Sequence, residues 1–122
     1  MRVAIVNDLK MASEVLRRVV QSMPDAEVAW LAENGQQAVE RCQQDRPDLI
    51  LMDMVMPRMT GLEAVRELRG RVETKDIPII MVTTRGEGDN VERGFESGVN
   101  DYVTKPIDGL LLLAKVRDYL GT

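Results

Sequence analysis

The stretch Pro47-Asp48-Leu49-Ile50-Leu51-Met52-Asp53-Met54-Val55-Met56-Pro57-Arg58-Met59-Thr60-Gly61 decides the fold of this chain. Leu49 to Met52 are four consecutive apolar residues, the pattern of a strand buried on both faces. The run ends on a carboxylate, Asp53, after which Pro57 and Gly61 mark a loop. A parallel strand with an acid at its carboxyl end presents it where ligands bind in open α/β sheets. Taken alone, Asp53 also fits the simpler role of ending a strand or capping a helix. The other strand ends decide between the two.

Working outward, Val3 to Val6 form a short apolar strand that ends on Asn7 and Asp8. Lys10 to Met23 place Ala12, Val15, Leu16 and Val19 on one helical face, and Pro24 closes that helix. Glu27 to Ala32 alternate as an edge strand does. Asn34 then caps a second helix, with Gln37 at capping-box spacing and Ala38, Val39 and Cys42 facing inward. Past the central strand, Thr60 and Glu63 form a second capping box, opening a helix through Leu62, Val65 and Leu68. Gly70 to Asp76 read as a polar loop and Ile77 to Val82 as a buried strand ending on Thr83 and Thr84. A fourth helix from Asp89 or Asn90 carries Val91 and Phe95 and stops at Gly98. Asp101 to Thr104 form a strand that ends on Lys105 and Pro106, and a last helix runs from about Ile107 to Leu120. Five β-α units without repeat or linker imply one doubly wound parallel α/β domain.

The composition narrows the chemistry. The chain of 122 residues carries 20 acidic and 16 basic side chains, a net charge of −4 with the cations dispersed, which argues against nucleic-acid binding. No apolar run approaches the ~20 residues of a membrane span, and residues 1–8 lack the pattern of a signal peptide. The single cysteine, Cys42, reads as a reduced core residue, which suits the cytoplasm. The absence of histidine excludes His-based triads, His metal sites and a histidine phosphorelay within this chain. A metal held here takes oxygen ligands, which points to Mg²⁺, Mn²⁺ or Ca²⁺.

Four strands thus end on polar groups: Asn7 with Asp8, Asp53, Thr83, and Lys105. In a parallel sheet all carboxyl ends share one edge, so these residues converge. Singly, Asp8 fits a helix cap, Thr83 a strand end and Lys105 a solvated lysine. Together, two carboxylates, an amide, a hydroxyl and an ammonium suit a divalent cation beside a phosphoryl group. Asp53 is then the candidate nucleophile for an aspartyl phosphate.

Those motifs, namely Asn7-Asp8, Asp53 with Met56-Pro57 and Gly61, Thr83, and Lys105-Pro106, resemble the receiver domain of two-component response regulators over essentially the whole chain. The resemblance implies a flavodoxin-like (βα)5 sheet ordered 2-1-3-4-5 and Mg²⁺-dependent phosphoryl transfer to Asp53 from a sensor histidine kinase, a phosphotransfer protein or a small phosphodonor. Mn²⁺ is an alternative ion. By position it implies that Asp8, Asp53 and the Val55 carbonyl hold the metal, with Asn7 acting through a water. It likewise puts Thr83 and Lys105 on the phosphoryl group, with a cis Lys105-Pro106 bond and Thr83 and Tyr102 as the switch pair. The domain would assist its own phosphorylation and dephosphorylation without being a turnover enzyme. Its output would run through the fourth helix, fifth strand and last helix, near Phe95, Tyr102, Lys115 and Tyr119. A downstream protein, a fused effector domain or a phosphorylation-dependent homodimer would read that surface. The kinase would dock on the first helix, at Lys10, Met11, Glu14 and Arg18.

Three departures from the family pattern carry expectations. Asn7 stands where the family has a second acid, so Mg²⁺ should bind more weakly. Thr84 is bulkier than the usual residue and should slow exchange with small phosphodonors. Val55 cannot orient a hydrolytic water, and with Arg85 it occupies a position that tunes phosphoryl loss. A long-lived phosphorylated state follows, and a lifetime of seconds would count against it. The start of the chain resembles chemotaxis methylesterase-type receivers, whereas Asp76-Ile-Pro-Ile-Ile80 and Asn100-Asp-Tyr-Val-Thr-Lys-Pro106 look like single-domain or cyclase-linked ones. Residues 1–122 read as one receiver domain without an effector domain, either stand-alone or part of a longer protein.

Three other classes share parts of this pattern. A haloacid-dehalogenase-like hydrolase needs an acid two residues after the nucleophile, where this chain has Val55. A flavodoxin-like electron carrier needs a Ser/Thr-rich phosphate loop after the first strand and aromatic flanks for a flavin, but the chain has four aromatics in all. A receiver-like module that binds partners or dimerises without phosphorylation shares the fold, and Asn7 is the residue that favours it.

Overall fold

A computed structural model describes residues 1–8, 10–53, 61–84, 98–105 and 108–120. Its strands are β1 (Arg2–Val6), β2 (Glu27–Ala32), β3 (Leu49–Asp53), β4 (Ile79–Thr84) and β5 (Asp101–Lys105), and its helices are α1 (Lys10–Gln21), α2 (Gly35–Gln44), α3 (Gly61–Arg69) and α4 (Gly109–Leu120). The five strands are parallel in one sheet ordered β2-β1-β3-β4-β5, the expected flavodoxin-like order. The expected helix carrying Val91 and Phe95 lies outside the described residues, and α4 is the last helix of the sequence reading.

Period-two alternation sorts the core into two layers. Val3, Ile5, Leu49, Leu51, Ile80 and Val82 pack under Leu16 and Val20 of α1 and Leu112 and Val116 of α4. Ala4, Val6, Ile50, Met52, Ile79 and Met81 point the other way, under Ala38, Val39 and Cys42 of α2 and Ala64, Val65 and Leu68 of α3. Every residue of β3 is buried, as a strand covered on both faces requires. Burying each large aliphatic side chain contributes roughly 1.5–3 kcal/mol, so β3 with its two apolar neighbours, β1 and β4, anchors the edge that carries Asp53. Desolvation in the second layer pushes the Cys42 thiol up to about 12, which keeps it protonated and inert.

Several boundaries differ from the sequence reading for identifiable reasons. Helix α1 stops at Gln21 rather than Met23, because the Ser22 amide is shared between the Arg18 and Val19 carbonyls and the Met23 amide turns back to the Val20 carbonyl, tightening the last turn before Pro24. Asn34 does cap α2, its Oδ1 accepting from the Gln37 amide at 2.9 Å. The reciprocal bond of a capping box is displaced by one residue: Gln37 Oε1 accepts from the Glu33 amide instead of that of Asn34. The Thr60 cap lies outside the described residues. Strand β4 begins at Ile79 rather than Ile77, because Ile77 closes a turn onto the Thr74 carbonyl and Pro78 has no amide to give the ladder. It extends through Thr83 and Thr84, and β5 likewise includes Lys105.

The polar loop before β4 is more ordered than its composition suggests. Thr74 is fully buried and donates its hydroxyl to the Leu68 carbonyl at 2.6 Å. At the opposite end of α2, Asp45 takes a bidentate pair from the Arg2 guanidinium while its backbone carbonyl accepts the Trp30 indole N–H at 2.9 Å. That Arg2 pair, chiefly through its hydrogen bonds, holds the Asp45 carboxyl below its ordinary value.

Candidate functional site

Strand register brings the predicted residues to one edge. Val6 pairs with Met52 and Asp53 with Val82, so Asn7 stands level with Asp53 on the neighbouring strand. Thr83 lies one step beyond Val82, and Thr84 pairs with Lys105. Adjacent strands lie about 4.8 Å apart, so the backbones of Asn7, Asp53 and Thr83 fall within about two strand spacings of one another. Lys105 is one strand further. The side chains of Thr83, Thr84 and Lys105, and all of Val55, Arg85 and Pro106, lie outside the described residues.

The described side chains at this edge divide by burial. Asp53 is 3% exposed and Asn7 2%, whereas Asp8 is exposed. Asn7 is also anchored through its backbone, whose amide donates to the Ala32 carbonyl at 2.9 Å and carries the β1–β2 ladder past the end of the strand. A carboxylate buried at the end of a fully apolar strand is costly unless a function or a partner keeps it there. One buried and one exposed carboxylate, at neighbouring strand ends, are hard oxygen donors of the kind Mg²⁺ takes. The described residues contain no group of three or more His, Cys, Asp or Glu side chains that could hold a metal by themselves. An ion bound here therefore needs further oxygens, which backbone carbonyls, water or a phosphoryl group supply.

A groove of about 290 Å³ opens beside Asp8, lined by Asn7, Asp8, Ser13, Glu14, Leu31, Ala32 and Glu33. The sequence reading gave Ser13, Leu31 and Glu33 no role. Only the packing of α1 against the end of β2 brings them together, and no linear spacing signals that. Glu14, expected on the docking helix, is held by Arg17 at 2.7 Å and Arg18 at 3.5 Å, and its hydrogen bond to Arg17 lowers its pKa first. A broader open depression of about 580 Å³ is lined by Glu63, Arg66, Glu67, Gly70 and Arg71 of α3 and the turn after it, without any strand end.

Tyr102 pairs with Met81 in the ladder and is half-buried against the α2–α3 layer. On the expected output surface, Lys115 Nζ donates to Asp101 Oδ1 at 2.9 Å and Tyr119 Oη to the Asn100 carbonyl at 2.8 Å. Burial raises the Tyr119 phenol, with Asp101 adding to the effect. Phe95 lies outside the described residues. Among the described residues, no helix is long and apolar enough to cross a membrane.

Comparison with known proteins agrees with this fold. The family model of the response regulator receiver domain matches residues 3–117. The chain is 44% identical over 112 residues to a protein-glutamate methylesterase/protein-glutamine glutaminase of Pseudomonas putida, a match that covers 89% of this chain and 32% of that protein. The chain thus spans about a third of the length of the curated relatives it matches. Among solved structures, the response regulator domain of Thermotoga maritima CheB superposes with a TM-score of 0.86 at 30% identity, covering 100% of this chain and 97% of that one. The receiver domain of a sensor histidine kinase from Pseudomonas aeruginosa, with a magnesium ion coordinated in its active-site cleft, superposes with a TM-score of 0.89 at 29% identity, covering 99% and 98%.

Proposed function

We propose, from the premise that this chain belongs to the response regulator receiver domains, that it is a cytoplasmic switch set by a phosphoryl group on Asp53. The observation that carries this reading is the buried Asp53 carboxylate at the end of β3, level with Asn7 and beside the exposed Asp8. In the step we propose, an Asp53 carboxylate oxygen attacks phosphorus and forms a new P–O bond. The donor's bond to phosphorus breaks, the N–P bond of a phosphohistidine or the P–O bond of an acyl phosphate, and the donor leaves with that electron pair. Asp8, Asp53 and the Val55 carbonyl would hold Mg²⁺, which supplies positive charge opposite the phosphoryl oxygens. Thr83 and Lys105 would donate to those oxygens. Such a domain assists its own phosphorylation and dephosphorylation and turns over no other substrate.

Intact mass after incubation with acetyl phosphate and Mg²⁺ tests the reading. The expected result is a gain of one phosphoryl group that disappears when EDTA removes the metal. No gain with either acetyl phosphate or a phosphorylated kinase would leave the phosphorylation-independent interaction module as the function. The sensor kinase or phosphotransfer protein is placed at α1, and an apolar patch supports that placement. Val15 is 46% exposed, and Leu110 and Leu111 at the start of α4 are 80% and 50% exposed. These two helices approach closely, because the site of a Gly109 side chain lies 3.7 Å from Val19 Cγ2. Val15→Glu is expected to slow transfer from the kinase at least severalfold and to leave acetyl phosphate labelling unchanged. Equal losses with both donors would remove the patch from the docking surface.

Asn7 sets the affinity for the metal. Asn7→Asp adds one negative charge a few ångström from the dication, worth on the order of tenfold in Mg²⁺ affinity even in water-like surroundings. Titration followed by Trp30 fluorescence is suitable, since Trp30 is buried on β2 two residues before Ala32, the acceptor of the Asn7 amide. Equal affinities would refute the role given to Asn7.

A further inference from the structure

We propose that Asn100 is a latch across the sheet, a positioning residue that ties the end of α3 on one face to the last turn of α4 on the other. Its regulatory meaning rests on the phosphorylation reading above; its existence does not. The latch lies at the amino-terminal edge of the sheet, opposite Asp53.

Arg69, the last residue of α3, supplies one end. Its guanidinium donates from Nε to the Gly98 carbonyl at 2.8 Å, and from Nη1 to the Lys75 and Ile77 carbonyls at 2.8 Å each. From Nη2 it donates to Asn100 Oδ1 at 2.9 Å. With a longer bond from Nη1 to the Thr74 carbonyl at 3.4 Å, all five acceptors are neutral oxygens, so the rigid fork of arginine is used for geometry rather than for ion pairing. Gly98 permits the approach twice over. Its φ of 105° suits glycine, and a Cβ there would sit 2.8 Å from Arg69 Cγ.

Asn100 engages its backbone amide, its backbone carbonyl and its side-chain oxygen. Its amide donates to the Ile79 carbonyl at 2.9 Å, and its Oδ1 accepts from the Ile79 amide at 2.9 Å as well as from Arg69. Its carbonyl accepts the Tyr119 hydroxyl at 2.8 Å. The next residue, Asp101, holds Lys115 one turn earlier on α4. The entries to β4 and β5, the end of α3 and the end of α4 therefore meet on one residue. Arg69 lies in the layer of Leu68, and Tyr119 in the layer of Val116, so the connection passes from one face to the other. A rim fastened in this way makes the far halves of β5 and α4 a fixed base, about which a change at the phosphorylated edge must pivot.

A double-mutant cycle in urea tests the latch. Arg69→Lys removes the fork but keeps the charge, and Tyr119→Phe removes only the hydroxyl. The two residues share no hydrogen bond, so independent effects on the unfolding constant multiply. Coupling through Asn100 predicts that the double variant falls short of the product by on the order of threefold, whereas agreement with the product overturns the latch. Should Arg69→Lys fail to fold, Asn100→Ala replaces it in the cycle, with the same criterion. The Arg69 Nε–H resonance, followed before and after phosphoryl gain verified by mass, tests whether the base stays closed. It is expected to hold its position while the Asp53 amide moves, and a comparable displacement overturns the fixed base. If no phosphoryl group is gained, the phosphorylation reading fails alone and the cycle still decides the latch.

Discussion

Asp53→Asn is expected to reduce phosphoryl gain from acetyl phosphate to background while the protein keeps its fold. The amide has nearly the shape of the carboxylate but lacks the charged oxygen that attacks phosphorus. Its position is enclosed, 3% exposed, at the end of a strand whose other four residues are fully buried, so no larger group can take its place without strain. Circular dichroism should be unchanged, and stability should move by roughly 1 kcal/mol, the size of an ordinary substitution. Asp8 is the alternative acceptor at this edge, being exposed and a strand away. A residual gain of one phosphoryl group in Asp53→Asn, lost only when Asp8 is also replaced, would move the acceptor to Asp8 and sink the assignment.

Arg69→Ala is expected to be among the most destabilising single changes outside the apolar core. It takes donors from four backbone carbonyls, one of them at a long 3.4 Å, and from Asn100 Oδ1 at once. At about 1 kcal/mol for each hydrogen bond lost, with some acceptors recovered by water, the cost is about 3 kcal/mol. For a chain of this size that lowers the melting temperature by on the order of 10 °C. Burial depresses the Arg69 pKa, opposed by Asp76. A loss below about 0.5 kcal/mol, the range of an ordinary surface substitution, would show that water replaces the guanidinium without cost.

These two residues mark the line between what was legible in the chain and what was not. Asp53 was legible because its context is local: four apolar residues, then an acid, alongside three other strands that also end on polar residues. A parallel sheet covered on both faces followed from the same local patterns and the rules for parallel crossovers, whereas the strand order followed from the family resemblance. Boundaries slipped where a neighbour from elsewhere took over a backbone group. Ile77 read as strand, but its amide closes a turn onto Thr74 and its carbonyl is taken by Arg69.

The fold class and the edge on which the polar strand ends gather are written in the linear chain. Each depends on periodicity and on the direction of parallel strands, which a linear chain displays. Only the tertiary structure decided that Asn7 and Asp53 are buried while Asp8 is exposed. Packing alone formed the groove beside Asp8 from α1 and the end of β2. It also joined Arg69 to residues 29 and 31 positions away. The physical reason is common to all three: burial and hydrogen-bond partners are properties of neighbours in space, and strand spacing and helix packing choose those neighbours without leaving a periodic trace in the chain.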